Sequence, residues 1–320
     1  MKILAVQNRM GIGDTVIFLP FIKALSKKFN SPISILVKEN SKADQFLHQT
    51  NYIDKILFLK REKKNNNRHG GFFGSLNLIK DIKKHNFDKI FIFNSSVRFN
   101  LIARLSGIPD ICQYPLLQKS KQHITDVPKK FIRDKLNLVV NEDPEVQIDD
   151  SLISQSIERY QINKSETNIL LGIGGSGPTK RIPSKIFLSV IEKILSVKKC
   201  KFFLATGKDN EEQIILNEIL KSKFKNLCIP LDNFSIKETL PIIKNCDLSI
   251  CNDSSFGHLS AALGINTITL MADTPLIYGN YSSKMFPIIP DGEKTVSHNT
   301  LGKEKINPEK IFDKIIEIIN

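Results

Sequence analysis

Residues 246–264 read CDLSICNDSSFGHLSAALG. Residues 247–251 are apolar and suit a β-strand. Asn252-Asp253-Ser254-Ser255 is turn and helix-cap chemistry. Residues 256–263 suit a helix of small side chains, and Gly264 stands where a helix-ending glycine belongs. Strand, tight polar turn and helix in immediate succession form the repeating unit of an open α/β sheet. In such sheets ligands bind outside the carboxyl ends of the strands. An acid, two hydroxyls and a histidine are therefore expected at the ligand-facing edge.

The rest of the chain repeats this unit. Strands are expected over 2–6, 33–37, 53–58 and 89–93, and helices over 14–29, 42–49, 76–85 and 97–105. Pro20 should kink the first helix or delay its start. This is the first half of a doubly wound sheet. A helix over 126–140 precedes residues 141–149 (NEDPEVQID), which are acidic, contain a proline and lack periodicity. They mark a domain boundary. The pattern then restarts. Helices over 151–160, 184–197, 211–220 and 236–244 alternate with strands over 168–171, 201–206, 227–229 and 267–271. An amphipathic helix over 311–319 follows. The fold class is α/β, with two Rossmann-like domains facing each other across a cleft. The first spans 1–150 and the second 151–305. The segment 306–320 is expected to pack back on the first.

Several function classes lose support at once. The formal net charge of +13 favours acidic partners, although lysines scattered over helix faces are often only solvated surface. Cys112, Cys200, Cys228, Cys246 and Cys251 form no CxxC pair, so buried free thiols in a reducing compartment are expected. No apolar run approaches the ~18 residues of a membrane-spanning helix. Gln7, Asn8, Arg9 and Asp14 interrupt any signal-like start. A cytoplasmic protein is expected, with at most peripheral contact at the inner membrane face. HExxH, GxSxG and Cys/His clusters are all missing, which leaves metal and serine-nucleophile chemistry without support.

Residues 172–177 (GIGGSG) satisfy GxGxxG and the GxxxxG of a P-loop, but in the wrong context for either. A dinucleotide fingerprint opens its helix within the glycines, and here residues 178–183 (PTKRIP) intervene. No acid ends the next strand at the ~20-residue offset of a ribose contact. A P-loop requires lysine where Pro178 stands. What remains is an amide-rich turn followed by Thr179, Lys180 and Arg181 beside a helix N-terminus. It is either an anion site or a plain loop with two solvated bases.

Asp14 follows Gly11-Ile12-Gly13 at the end of the first strand. It is either an N-cap or a general base at the sheet edge. Asp253 and His258 are either a cap and an unremarkable histidine or a pair about one turn apart that reaches one bound group. The basic loop from Arg61 carries Lys63, Lys64, Arg68 and His69. It is either a solvated charge run or a clamp for an acidic acceptor or anionic lipid headgroups. It lacks aromatic interleaving before Phe72, which argues against nucleic acid.

Taken together and in order, these residues resemble glycosyltransferase family 9, the ADP-heptose–lipopolysaccharide heptosyltransferases. The opening KILAVQNRMGIGDTVIFLPFIKAL is similar to the family's strand, G-D turn and P-x-x-x-A-L helix. GSGPTKRIP resembles the segment ending K-x-W-P. NDSSFGHLSAALG resembles the signature (N/V)-D-(S/T)-G-x-x-H-x-x-A-A-L. YGNY at 278–281 resembles Y-G-P-Y. Three departures stand out. Ser255 replaces the signature glycine, Ile182 the tryptophan, and residues 272–275 form a shorter version of G-P-T-D-P.

The resemblance implies a GT-B fold, with acceptor bound mainly by the first domain and donor by the second. It implies inverting, metal-independent sugar transfer without a cofactor. Asp14 is then the general base. Thr179 and Lys180 hold the donor diphosphate, Asp253 and His258 organise donor sugar and phosphate, and Ser254 and Ser255 contribute backbone N–H groups. Glu211 falls at the nucleoside-binding acid, and Phe234 at the base pocket. Arg61, Lys63, Lys64 and Arg68 fall where the family engages its acidic acceptor. The expected partners are a nucleotide-sugar donor, an acidic glycolipid or oligosaccharide acceptor and an anionic membrane surface, with no nucleic acid and a monomeric chain. Two other readings stay open: a nicotinamide-dependent sugar-nucleotide oxidoreductase or epimerase, and a catalytically silent family member that binds a sugar nucleotide.

Overall fold

The computed structural model describes residues 1–9, 11–61, 67–116 and 124–319. The chain divides into two compact units, Met1–Gln147 and Ile148–Asn320. The first contains β1 (Ile3–Val6), α1 (Ile12–Phe29), β2 (Ile33–Lys38), α2 (Ala43–Phe46), β3 (Ile53–Leu59), α3 (Gly71–Lys83), β4 (Lys89–Ile92), α4 (Val97–Leu105), β5 (Asp110–Gln113) and α5 (Asp126–Leu136). Its five strands are parallel, in the order β3-β2-β1-β4-β5. On one face Leu78 and Ile82 of α3 and Phe99 and Ile102 of α4 close over Leu4, Val6 and Leu36. Near the carboxyl ends of the strands, Phe18, Phe93, Tyr114 and Phe131 pack edge to face.

Two expectations for this unit change. Pro20 lies inside α1 and does not delay its start at Ile12, because residues 15–22 are all buried and this packing outweighs one missing hydrogen bond. Helix α3 begins at Gly71 rather than near Leu76, so the stretch Gly71–Gly74 is helix and not loop. The boundary segment is tied to the first unit: Lys27 Nζ donates to Glu142 at 2.6 Å, Lys23 pairs with Glu145, and Gln147 accepts the Asn51 N–H at 2.8 Å.

The second unit contains α6 (Asp150–Arg159), β6 (Thr167–Gly172), α7 (Ser184–Leu195), β7 (Cys200–Ala205), α8 (Asn210–Leu220), β8 (Cys228–Pro230), α9 (Ile236–Lys244), β9 (Leu248–Asn252), α10 (Ser255–Ala262), β10 (Thr267–Leu270), β11 (Met285–Ile288) and α11 (Pro308–Ile319). All six strands are parallel, in the order β11-β10-β9-β6-β7-β8. This is the doubly wound order 3-2-1-4-5-6. Helix α11 carries an apolar stripe. Ile311 and Ile315 are fully buried in the second unit's own core, against α7 and the β10–β11 edge.

In both units the direction of winding reverses beside the first strand. In the second unit this puts the reversal between β6 and β9. Gly172 ends β6 directly opposite Cys251 of β9. A Cβ at position 172 would come within 2.6 Å of Cys251 Sγ, and one at Gly257 within 3.3 Å of Cys251 Cβ. Two glycines thus seat the cysteine and let α10 lie close to the sheet. Burial pushes the Cys251 thiol up to about 12, so it is a packing residue and not a nucleophile.

Candidate functional site at the carboxyl edge of the second sheet

Strands β6 and β9 run side by side to the end of β6, and each gives way to a connection at this edge. Residues 173–183 follow β6, and Asp253 and Ser254 follow β9. Pro178–Lys180 form one turn of 3₁₀ helix, and α7 begins only at Ser184. The glycines of residues 172–177 therefore do not open a helix, as a dinucleotide fingerprint requires.

The two connections meet through charge. Lys180 Nζ donates to Asp253 Oδ2 at 2.6 Å. The Asp253 side chain is 6% exposed and that of Lys180 23%. His258, one turn into α10, places Nε2 3.9 Å from Asp253 Oδ1. Its other nitrogen, Nδ1, lies 2.7 Å from the Tyr281 hydroxyl, and the two rings stack with centroids 5.6 Å apart. Burial alone would raise the Asp253 pKa, but the Lys180 charge, His258 and the Lys180 hydrogen bond together hold it below its ordinary value. Burial lowers the His258 pKa more than Asp253 raises it, which keeps the ring neutral near pH 7.

Around this cluster lie buried polar atoms without a protein partner among the described residues. They are Asn252 Oδ1 and Ser254 Oγ; Thr206 Oγ1, just after β7, is likewise unpartnered and stands beside the Gly174 position. Asn252 is fully buried, and its Nδ2 is already committed to the Ile173 carbonyl at 2.8 Å. Ser254, not Asp253, occupies the N-cap of α10, and its side chain makes no capping bond. The first-turn N–H groups of α10 thus point out beside Asp253 with no side-chain cap. Unsatisfied buried groups are costly, and their clustering at a sheet edge marks a place built for a polar ligand.

The other expected donor residues have definite surroundings. The Thr179 hydroxyl bonds Asp273, whose carboxylate also accepts the Leu301 N–H at 2.9 Å. Lys303 Nζ donates to the Pro178 carbonyl at 3.1 Å. The segment after β11 thus secures the turn that carries Lys180. Ser255 is the first residue of α10. Phe234 meets Tyr160 edge to face at 5.3 Å.

Glu211 is not directed at the glycine-rich turn. It is half exposed and pairs with Arg181 Nη1 at 2.6 Å, a nitrogen that Asp209 shares at 2.8 Å. The inward acid is its neighbour. Glu212 is buried, and its Oε1 accepts the Gly175 N–H at 2.7 Å. Neither Gly174 nor Gly207 has room for a Cβ beside this carboxylate, at 2.7 and 2.3 Å. Arg181 Nε closes the turn from the other side through the Gly175 carbonyl at 3.0 Å. Glu212 and Tyr281 are the residues that sequence reasoning missed. YGNY carried a signal for Tyr281, whereas the EE pair left open which acid turns inward.

In the first unit Asp14 is the third residue of α1, not its N-cap. That position belongs to Gly11, whose φ of 94° favours glycine. The Asp14 carboxylate therefore sits in the first turn, where the helix dipole favours a negative charge. Gln7 Nε2 donates to the Asp14 carbonyl at 3.2 Å. Arg61 is exposed. Lys63 and Lys64 lie outside the described residues. Arg68 is already engaged, forking onto Asp81 with bonds of 2.9 and 2.8 Å.

The model of glycosyltransferase family 9 (heptosyltransferase) matches residues 76–315. Lipopolysaccharide heptosyltransferase 1 of Campylobacter coli is 26% identical, over 95% of this chain and 93% of the relative. Among solved structures, a family 9 glycosyl transferase from Veillonella parvula superposes with a TM-score of 0.78 at 18% identity, covering 99% of this chain and 96% of that one. The E. coli ADP-heptose lps heptosyltransferase II gives 0.74 at 14% identity, covering 99% and 98%. The fold is GT-B, and the chain belongs to glycosyltransferase family 9, the heptosyltransferases.

Proposed function

We propose that the protein transfers a heptose from ADP-heptose to an acidic glycolipid acceptor of the lipopolysaccharide core, with inversion at the anomeric carbon. The observation that carries this reading is the cluster of Lys180, Asp253 and His258 among unpartnered polar atoms at the reversal of the second sheet. The second unit is the donor domain and the first the acceptor domain. Heptosyltransferase names on the similar proteins support the sugar and the acceptor class.

The acceptor hydroxyl oxygen attacks the anomeric carbon, and the bond from that carbon to the diphosphate oxygen breaks. The hydroxyl proton passes to the Asp14 carboxylate. The electron pair leaves with ADP, where Lys180 and the first-turn N–H groups of α10 stabilise the growing charge. These groups supply the positive potential that a metal ion supplies elsewhere. Thr179, Ser254 and Ser255 line the diphosphate. Asp253 holds Lys180 in place, and His258, neutral and hydrogen-bonded to Tyr281, accepts or donates one bond to the sugar. Glu212 rather than Glu211 faces the nucleoside. Arg61 with Lys63 and Lys64 meets the acidic acceptor. The enzyme works as a monomer at the cytoplasmic face of a membrane.

A thermal-shift panel of ADP-, GDP-, UDP- and CMP-sugars tests the donor, and ADP-heptose should give the largest shift. NADH should give none. Asp14→Asn should lower turnover by about 10²–10⁴-fold while ADP binding is unchanged; near wild-type turnover would reduce Asp14 to a helix-start residue. Replacing Arg61, Lys63 and Lys64 by Gln should raise the acceptor KM more than the donor KM, and the reverse pattern would remove the clamp.

A further inference from the structure

The first unit leaves large apolar side chains uncovered on one layer. Phe72 and Phe73, in the first turn of α3, are 76% and 79% exposed. They touch each other edge to face at 5.8 Å. Leu76 follows one turn later and is also exposed. On the adjacent helix, Val97, Leu101 and Leu105 of α4 recur every four residues and are all exposed. The two helices lie side by side over the same sheet face.

This exposure is held by rigid structure. Gly74 is the inward position of the first turn of α3, and a Cβ there would meet the His69 carbonyl carbon at 2.3 Å. Packing this close leaves the two phenylalanines no route inward. Arg98 at the start of α4 donates to Ser75 Oγ at 2.8 Å and to the His69 carbonyl, tying the two helix starts together. His69 accepts the Lys60 N–H at Nδ1 and is bonded to Asp81 through Nε2.

The polar residues around the patch carry one sign. Lys80 and Lys83 of α3 and Arg104 of α4 are exposed. The single acid on these two helices, Asp81, is neutralised by Arg68, His69 and Lys84. Exposed aromatics flanked by unopposed cations are the composition of a surface that enters an anionic bilayer interface.

We infer that the outer layer of α3 and α4 is the membrane-docking surface of this protein. Phe72 and Phe73 enter the headgroup region of an anionic bilayer, and Lys80, Lys83 and Arg104 lie against its phosphates. The inference deepens the proposed reading and rests on it for its purpose, since a membrane-borne glycolipid must be met at its membrane. Its chemistry is tested without donor or acceptor, so vesicle binding and sugar transfer fail separately.

The chain contains no tryptophan, so Phe73→Trp introduces the only indole. On vesicles of phosphatidylcholine with about one-third phosphatidylglycerol, its emission should shift to the blue and be quenched by brominated acyl chains. Vesicles of phosphatidylcholine alone should give a much weaker response. Val197→Trp, exposed on the second unit, is the control and should not respond. The double variant Phe72→Ser/Phe73→Ser should lose at least roughly tenfold in vesicle partitioning at an unchanged melting temperature, and keep its rate on a deacylated, water-soluble acceptor. Absence of the blue shift on anionic vesicles, or an equal shift at Val197→Trp, would overturn the inference. So would a dimer that the double variant dissociates in the absence of vesicle binding, which would give the face to a second copy of the chain.

Discussion

Each unit of this protein holds a cation, a carboxylate and a histidine in contact, and the two sets serve different ends. In the first unit Arg68, Asp81 and His69 fasten the chain after β3 to the middle of α3. In the second, Lys180, Asp253 and His258 join two strand ends where the sheet reverses. The first set has an arginine that forks onto its acid, and the Asp81 carboxylate is about one quarter exposed. Its proton affinity falls well below the carboxylate range, chiefly through the Arg68 hydrogen bond. The second set has a lysine, a point charge on a pivoting stem, and an acid that is almost fully buried. On the proposed reading, the same three charge types make a clasp in one place and a ligand site in the other. Position relative to the sheet's reversal and the choice of cation separate the two.

The sharpest test of that contrast is to delete each cation. Lys180→Ala should lower kcat/KM by roughly 10³-fold and weaken ADP binding severely in calorimetry. Arg68→Ala should leave both within about twofold. Equal losses would mean that the first set also belongs to the catalytic apparatus. The next effect comes from the acids. Asp253→Asn should cut kcat/KM by roughly 10–100-fold, because Lys180 loses the group that aims it. Asp81→Asn should leave kcat/KM in place and cost about 1–2 kcal/mol of stability, read as a lower melting temperature.

The smallest effect lies in pH. Burial lowers the pKa of both His69 and His258, so the unfolded chain binds protons more readily than the folded one. Stability is full above the unfolded value near 6.5 and declines as pH falls through the folded values. His258→Asn should therefore flatten the decline of urea midpoints between about pH 7 and 5. A steeper decline in the variant would reverse the sign assigned to the burial of this ring.

Much of this architecture was legible in the residues because buried parallel strands and amphipathic helices leave strong periodicities. Helix α9 was read to its ends, since its apolar stripe stops where its caps begin. Strands β5 and β11 were not read. Both are four-residue edges, one with a leading aspartate and the other with an internal proline, and a half-covered edge imposes little pattern. The start of α3 was missed because GGFFG has the composition of a loop. Only the close seat of Gly74 against His69 reveals why a glycine stands inside a helix there.

The site was legible as a set of residues and not as a set of contacts. Motif and resemblance singled out Thr179, Lys180, Asp253 and His258, and the structure brings Lys180, Asp253 and His258 together. The exchange of Glu211 for Glu212 was not available to sequence, because adjacent helical residues differ by about 100° in direction. The phase that decides between them is set by how α8 lies on the sheet. Arg68 was expected to meet an acidic acceptor; in the structure it forks onto Asp81 of α3, thirteen positions on.

The contact between Lys180 and Asp253 has a bearing on selectivity. A binding site of bare positive charge takes up any small anion. Here the ammonium already has a resident counter-ion, and an incoming ligand must outbid a buried carboxylate for it. A single negative charge gains little from such an exchange. A diphosphate, which brings more charge and reaches both the ammonium and the start of α10, gains enough. On the proposed reading the pair acts as a threshold that favours a diphosphate over singly charged ions, and its closing again when the nucleotide departs favours product release.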